Sequence, residues 1–283
     1  MAEITTATIM ELRALTNAGM MDCKRALIEA NGDMEEAIKQ LRLKGQAIQV
    51  KRASKEANQG LVEAVSSEDG SVTALVEVNC ETDFVAKTDK FKAFVKLVAE
   101  RVLAGDDNEK VAESLKDELA DLLATTGENV KIGRLARFAA EGTGKIGSYI
   151  HMGGKVGVVV EVGCGKAETL NCEAFTTLVH DLSLQIAAVS PRWLDDSQIP
   201  GDIITAEREL YRQQMAEDKK PANVIDKIIE GKLRKFYSEV CLLDQPFVKE
   251  AKQSIRQLVA ETAKACDDTI TIRRFARFQV GAA

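Results

Sequence analysis

The chain has 283 residues, of which 45 % are hydrophobic and 29 % charged, and this composition excludes the low-complexity, collagen-like and disordered classes. Its 38 basic and 44 acidic residues give a net charge of −6, which argues against nucleic acid as a direct partner, because nucleic-acid-binding domains carry a basic excess. No apolar run reaches the roughly 18 to 20 residues of a membrane helix, and acidic residues stand where a signal peptide would be basic. We therefore expect a cytoplasmic protein without a membrane partner.

The first 50 or so residues predict three short amphipathic helices. The first runs from about Thr6 to Leu15. The second begins near Asp22, whose side chain is expected to cap it. The third is expected to be capped by Asp33, and its apolar residues recur at spacings of 3 and 4: Met34, Ala37, Ile38 and Leu41. The polar stretch from Lys51 to Gln59 is expected to be a linker.

An internal repeat follows this stretch. Val72–Cys80 (VTALVEVNC) resembles Val156–Cys164 (VGVVVEVGC) at an offset of 84 residues. The same offset pairs Phe91 with Phe175, and an apolar helical face continues from each of them. Each copy is therefore predicted to consist of a β-hairpin followed by a helix.

The second copy contains an insertion. Ile132–Phe138 (IGRLARF) resembles Ile272–Phe278 (IRRFARF) at an offset of 140, so the second copy has 56 more residues (140 − 84). The extra residues lie between Ile186 and Ile272. All four prolines lie in this interval, together with two apolar stripes at helical spacing over 203–215 and 224–240. The stripes predict a helical hairpin that pairs as an antiparallel coiled coil.

One glycine-rich segment matches a nucleotide-binding fingerprint by its letters alone. Gly142–Gly147 reads G-x-G-x-x-G, but that fingerprint needs a strand before it and a helix after it. Here the next residues, 148–150, are expected to begin a hairpin, and we interpret the segment as a flexible join between the two halves. The alternative, an α/β enzyme that uses this segment, predicts intrinsic nucleotide binding.

The sequence offers little for catalysis or metal binding. It has two histidines and six cysteines without a C-x-x-C pair, so neither a zinc site nor a disulfide framework is expected. We expect all six cysteines to be reduced and most of them buried. No catalytic group, cofactor or metal is expected.

The segment Glu81–Lys87 (ETDFVAK) follows the predicted strand Val72–Cys80 of the first copy. At the offset of 84 the position of Phe84 holds Glu168, so the fold itself does not require an apolar residue there. We expect Asp83 and Phe84 to present a carboxylate and an apolar wedge to a partner. The alternative is helix capping by Asp83 or Thr82, with Phe84 as a local hydrophobic staple.

Three further features are candidates for contacts. Met20 and Met21 are adjacent and cannot both face one small core, so an exposed methionine that contacts a partner is one interpretation. The alternative is that one side chain is buried and the other has no role. His151 lies beside the Gly153-Gly154 turn, and this position predicts a functional contact. Arginines shared by the two copies are expected to form a solvated basic edge, with phosphate binding as the alternative: Arg134, Arg137, Arg273, Arg274 and Arg277.

Three segments resemble bacterial elongation factor Ts, the guanine-nucleotide exchange factor for elongation factor Tu. They are LRALTNAGMMDCKRAL (Leu12 to Leu27), EVNCETDFVAK (Glu77 to Lys87) and GKLRKFYSEVCLLDQPFV (Gly231 to Val248), and the likeness covers almost the whole chain in order. The resemblance implies an α+β fold in four parts. These are a three-helix module similar to ubiquitin-associated domains (1–54), two related α+β subdomains (55–140, and 141–189 with 242–283) and a coiled-coil hairpin inserted in the second (190–241).

The resemblance also implies a function, namely binding of elongation factor Tu in its GDP-bound and nucleotide-free forms. The family's T-D-F-V loop, which enters the GTPase near its nucleotide-bound magnesium, maps to Thr82, Asp83, Phe84 and Val85. The family's other partner contacts map to Leu12, Met20, Met21, Lys24, Thr126, Gly127 and His151. A homodimer through the coiled coil is a further possibility.

Two departures from the family pattern bear on these contacts. Thr126 stands where the family commonly has an apolar residue, so a hydroxyl replaces an apolar group at that contact. The chain ends at Ala283, whereas some relatives continue into a C-terminal helical module, so contacts of that module are expected to be absent. An alternative function is that of a helical adaptor protein, which predicts binding of a partner without an effect on nucleotide release.

Overall fold

Three helices begin the chain in a computed structural model that describes residues 4–16, 18–52, 55–215 and 221–282. They are α1 (Thr6–Thr16), α2 (Met20–Glu29) and α3 (Met34–Arg52). They pack around one apolar cluster, which is formed by Ile9, Leu12, Ala18, Cys23, Ala26, Leu27, Ala30, Ala37 and Leu41. The three helices predicted from the sequence are confirmed.

The ends of these helices partly correct the sequence predictions. Asp33 caps α3 as expected, because its Oδ1 accepts a hydrogen bond of 2.9 Å from the backbone N–H of Glu36. The cap expected from Asp22 is wrong: α2 begins at Met20 with Gly19 as its N-cap, and the Asp22 carboxylate pairs instead with Lys44. The expected linker also begins too early, since α3 runs through Arg52; residues 53 and 54 lie outside the described part of the chain.

The first copy of the repeat forms a sheet covered by helices. Its strands are β1 (Gln59–Ser66), β2 (Val72–Cys80) and β3 (Val130–Ala139), in the order β1-β2-β3. β1 and β2 are antiparallel, from the pair Gln59 and Cys80 to the pair Ser66 and Thr73. The helices between β2 and β3 are α4 (Asp83–Ala86), α5 (Asp89–Ala104), α6 (Asn108–Ser114) and α7 (Lys116–Thr126). The apolar face of α5 packs on β1 and β2, while α7 packs along α3.

The second copy repeats the order of hairpin and helix. It consists of β4 (Gly144–His151), β5 (Val156–Cys164), α8 (Glu173–Val189) and, later, α11 (Ile255–Ala265) and β8 (Ile270–Gln279). The sheet order is β4-β5-β8. Phe91 in α5 and Phe175 in α8 are both fully buried, as the offset of 84 residues predicts. The G-x-G-x-x-G segment is followed by no helix, as expected, but β4 already begins at Gly144. The expected flexible join is therefore wrong, because most of this segment belongs to a strand of the sheet.

The insertion contains the expected pair of helices, α9 (Gly201–Gln214) and α10 (Ala222–Val240), which pack on each other. Arg208 Nη2 and Glu230 Oε1 join them at 3.1 Å, and Ile229 and Leu233 of α10 are buried. Residues 216–220, between the two arms, lie outside the described residues. The short hairpin of β6 (Pro246–Phe247) and β7 (Glu250–Ser254) was not predicted.

The described chain divides into two compact units. The first contains the residues up to Arg137 together with Ile150–Gly157 and the segment from Phe278 onward; the second contains Phe138–Tyr149 and Val158–Arg277. The α+β class is confirmed, whereas the four-part boundaries given above stay a prediction. Among the described residues, no helix is both long and apolar enough to cross a membrane.

The arginines that the repeats share are tied to carboxylates and rings inside each unit. Arg134 lies 2.7 Å from the buried Glu77 carboxylate, and its guanidinium lies 4.9 Å from the ring centroid of Phe278. The equivalent Arg274 lies 2.8 Å from the buried Glu161 carboxylate and 4.5 Å from the ring centroid of Phe138. Each guanidinium thus uses a ring from the last strand of the other copy. Arg134 and Arg274 are thus paired within the fold, which contradicts the expected solvated edge at these two positions and weakens the alternative of phosphate binding.

Candidate protein interface

The loop after β2 turns one aromatic ring toward solvent. Thr82 caps the single turn of α4, and its Oγ1 accepts a hydrogen bond of 3.4 Å from the backbone N–H of Val85. The turn places Val85 and Ala86 in the core, while the Phe84 side chain is 78 % exposed. Thr82 therefore caps the helix, as the alternative predicts, but Phe84 is exposed and does not act as a staple; its contact with a partner stays a prediction.

Asp83 places a charge beside this ring. Lys87 Nζ donates a hydrogen bond of 2.6 Å to Asp83 Oδ2, and Lys87 Nζ lies 6.0 Å from the centroid of the Phe84 ring. This hydrogen bond lowers the pKa of Asp83 below its usual range, so the carboxylate is ionised at neutral pH. The exposed surface of the loop thus combines a carboxylate, an ammonium group and an aromatic ring.

Two carboxylates fasten the loop to the segment that follows α7. Glu128 accepts hydrogen bonds from the Thr82 backbone N–H at 3.0 Å and from the Thr82 hydroxyl at 2.6 Å. In the opposite direction, Glu81 Oε1 accepts a hydrogen bond of 2.6 Å from the backbone N–H of Asn129. Hydrogen bonds to ionised groups are stronger than those between neutral groups, so this reciprocal pair holds the loop firmly.

Sequence reasoning missed Glu128, although it lies one residue after the predicted contact Gly127. Gly127 ends α7 in the left-handed region, with φ of +67°. The Thr126 hydroxyl donates a hydrogen bond of 2.9 Å to the Leu122 carbonyl, within its own helix. A shallow pocket is lined by Thr126 and Gly127 together with Ala18 and Gly19, so the end of α7 lies beside the start of α2.

The residues predicted on the helical module separate into an exposed and a buried group. Met20, Met21 and Lys24 are exposed, with Met21 at 68 %, so the alternative of one buried methionine is wrong. Leu12 is 0 % exposed, because it packs on the inner side of α1 against the cluster that includes Cys23 and Leu27. A direct contact of Leu12 with a partner is therefore corrected to a role in the core.

A second exposed apolar side chain lies near Phe84. His151 ends β4 and is exposed, and the next residue, Met152, is 69 % exposed with a left-handed backbone at φ of +51°. The turn from Met152 to Lys155 lines the same cleft as the loop from Glu81 to Phe84. Lys155 Nζ is fixed there by a hydrogen bond of 3.0 Å to Gln59 Oε1. Met152 was not predicted; its position beside the Gly153-Gly154 turn was the only signal.

The structure thus brings together the loop 82–85, the end of α7 and the turn after β4 within the first unit, with the exposed methionines of α2 near the end of α7. Across the described residues, no group of three or more His, Cys, Asp or Glu side chains is arranged to hold a metal ion. The surface combines exposed apolar side chains, Phe84, Met152 and Met21, with charged groups, and exposed apolar groups are candidates for a contact with another protein.

Known proteins resemble this chain over nearly its full length. A family model described as elongation factor TS matches residues 81–282. The elongation factor Ts of Trichlorobacter lovleyi is 44 % identical over 98 % of this chain and 93 % of its own length. Those of Desulfovibrio desulfuricans (42 % identical, 100 % of both chains) and Clostridium perfringens (41 % identical, 98 % of this chain and 93 % of its own length) are similarly related. The chain belongs to the elongation factor Ts family.

Proposed function

We propose that the protein is a guanine-nucleotide exchange factor that binds elongation factor Tu and promotes release of GDP during translation elongation. Family membership supports the exchange role. The observation that carries the mechanism is Phe84, a large apolar side chain held 78 % exposed on a loop that hydrogen bonds fix from behind. An exposed aromatic ring on a fixed loop is typical of an interface anchor.

The exchange follows from thermodynamic linkage. A protein that binds the nucleotide-free GTPase more tightly than the GDP form must weaken the binding of GDP by the same factor. Each tenfold change in affinity requires about 1.4 kcal/mol of differential contact. No covalent step is needed, so the proposal requires no catalytic residue.

The loop 82–85 supplies this differential contact. Phe84 enters between elements of the GTPase, and the Asp83 carboxylate disturbs the groups that hold the partner's magnesium ion. Without the ion, the negative charge of the diphosphate is poorly compensated, and GDP leaves faster. Thr82 and Val85 act from behind, since Thr82 is bound by Glu128 and Val85 is buried in the core.

The other contacts extend this surface. Met20, Met21 and Lys24 are exposed on α2 and are proposed to bind the GTPase, together with Thr126, Gly127 and His151. Methionine side chains adapt to the shape of a partner, which suits them to this role. The homodimer through α9 and α10 stays a prediction; sedimentation velocity over a range of concentrations tests it.

The test is the release of a fluorescent GDP from elongation factor Tu at fixed magnesium. We expect the protein to accelerate release, and Phe84→Ala to lose at least tenfold of that effect. Val248→Ala is the matched control, because Val248 is also an exposed apolar side chain, at 48 %, but lies in the turn between β6 and β7. If the protein binds the GTPase without accelerating GDP release, the proposal is contradicted and the alternative of a helical adaptor is favoured.

A further inference from the structure

Two cysteine thiols meet in the second unit, away from any role in the proposed function. Cys172 immediately precedes α8, and Cys266 immediately follows α11. Their sulfur atoms lie 2.7 Å apart. Both thiols are partly exposed, whereas the other four cysteines are buried: Cys23, Cys80, Cys164 and Cys241.

Hydrogen bonds beside the thiols hold the two chain segments in place. Asp268 Oδ2 accepts hydrogen bonds from the Lys166 backbone N–H at 2.9 Å and from the Thr169 hydroxyl at 2.6 Å. The Gly165 backbone N–H also donates to the Thr269 carbonyl at 3.2 Å. The chain before Cys172 is therefore joined to the chain after Cys266 at several points. These backbone and side-chain contacts, and not only the rotamers of the two cysteines, keep the sulfur atoms close.

The two thiols differ in their readiness to react. A hydrogen bond joins the two thiols, and this bond, together with the backbone N–H groups at the start of α8, lowers the pKa of Cys172. Burial and the neighbouring Cys172 raise the pKa of Cys266 to about 11. Cys172 is thus the better nucleophile, since the thiolate is the form that attacks a disulfide.

We propose that Cys172 and Cys266 are a site of reversible oxidation, at which a low-molecular-weight disulfide converts the two thiols into an intramolecular disulfide bond. A protein disulfide has an S–S bond of about 2.0 Å, so closing it requires a displacement of less than about 1 Å. The partial exposure of both thiols gives the reagent access.

The reaction proceeds by two exchanges. The Cys172 thiolate attacks one sulfur of the reagent; the new S–S bond forms as the reagent's own S–S bond breaks, and the departing thiolate takes up a proton. Cys266 then loses its proton and attacks Cys172 Sγ, which displaces the second small thiolate. The two protein thiols lose two electrons, and the reagent is reduced to two thiols.

The bond would close a covalent loop around the segment that carries the helical hairpin. Residues between Cys172 and Cys266 include α8, α9, α10, the β6–β7 hairpin and α11. Closing a long loop restricts the unfolded chain more than the folded one, so the oxidised form is expected to be the more stable. The proposal holds whether or not the protein acts on elongation factor Tu.

The experiment incubates the full chain with oxidised glutathione and then counts free thiols in denaturant. We expect two of the six thiols to disappear and dithiothreitol to restore them. Peptide mapping of the oxidised protein should identify a disulfide between Cys172 and Cys266. Cys164→Ser, which removes a buried thiol, should leave this pairing intact. Cys172→Ser and Cys266→Ser should each abolish it.

Thermal unfolding gives a second readout. The Tm of the wild-type protein should rise on oxidation, whereas the Tm of Cys172→Ser should not. Six free thiols after incubation, a glutathione adduct that persists on Cys172, or a different cysteine pair would each overturn the proposal.

Discussion

Thr82 and Glu128 are joined by two hydrogen bonds across 46 residues of sequence, one from the backbone N–H and one from the hydroxyl of Thr82. Thr82 also caps the turn that carries Phe84. The position of the exposed ring therefore depends on a carboxylate that lies on a different element. Glu128 acts as a positioning residue for the loop.

Replacing Glu128 by Gln tests this role. The amide keeps the size of the side chain but offers one acceptor and turns an NH₂ group toward a Thr82 donor, so we expect faster hydrogen exchange at the Thr82 amide and several-fold slower GDP release. Glu118→Gln, an exposed carboxylate on α7, is the control and should change neither quantity. If hydrogen exchange at the Thr82 amide is unchanged in Glu128→Gln, the hydrogen bonds between Glu128 and Thr82 do not order the loop.

Met152 has a backbone conformation that suits glycine better than methionine, with φ of +51°. Met152→Gly should relieve the cost of a side chain in the left-handed region, about 1 kcal/mol before the entropic penalty of glycine, and leave stability equal or higher. Binding to elongation factor Tu should nevertheless weaken, because the apolar side chain beside the Phe84 cleft is lost. Urea unfolding and the Kd of the complex measure the two effects.

Met152→Ala separates the two contributions. It removes the same contact but keeps a Cβ atom at positive φ, so it should bind as weakly as Met152→Gly and be less stable than that variant. If both variants bind as tightly as the wild type, Met152 has no part in the interface.

Leu12 and Met21 should respond to truncation in opposite ways. Leu12→Ala removes a fully buried side chain from the helical cluster and should cost about 2–5 kcal/mol of stability. Met21→Ala changes an exposed side chain, so the fold should stay intact while affinity for the GTPase falls. Native-state hydrogen exchange in α1–α3 and binding measurements distinguish the two. A loss of affinity in Leu12→Ala under conditions where its helices are fully protected would restore Leu12 as a direct contact.

Stability should fall in acid through Glu161. Burial alone raises its pKa, but hydrogen bonds from the Glu141 backbone N–H and from Arg274 and Arg273 outweigh burial and hold the pKa below the ordinary 4.5. A group whose pKa is lower in the folded state stabilises the fold above its unfolded pKa and loses that contribution as the pH falls through the folded value. Urea unfolding between neutral pH and pH values below 4.5 measures this loss.

Glu161→Gln should flatten the pH dependence and cost about 1–3 kcal/mol at neutral pH, because it removes the charged partner of two half-buried arginines, Arg273 and Arg274. Glu141→Gln is the control: its exposed carboxylate lies 3.4 Å from Arg274, and such surface pairs contribute about 0–1 kcal/mol. An equally steep acid transition in Glu161→Gln would assign the pH dependence to other groups.

The parts of the fold that repeat a local pattern were predictable from the sequence. Hydrophobic spacing located α1 to α3, and the offset of 84 residues identified β2 and β5, and Phe91 and Phe175, as equivalent positions, because burial of one face leaves a periodic pattern in the sequence. The exposed Phe84 was predictable for the same reason, since its counterpart Glu168 shows that no core position exists there.

Features that depend on distant residues were not predictable. The hydrogen bonds from Thr82 to Glu128 form only because the end of α7 lies beside the end of β2 in the fold. The positive φ of Met152 is set by the turn and not by its residue type. Leu12 was misplaced because a contact carried over from a family does not distinguish a surface residue from the core residue that supports it. Asp22 was expected to cap α2, but the helix begins two residues earlier.

The exchange of aromatic rings between the repeat copies makes each copy depend on the other. The guanidinium of Arg134 in the first copy lies over the ring of Phe278 in the second, and that of Arg274 in the second lies over Phe138 in the first. Each arginine already has its carboxylate within its own copy, Glu77 or Glu161, so the ring is what the other copy supplies. It follows that neither copy, expressed alone, would contain every side chain that packs around its own arginine.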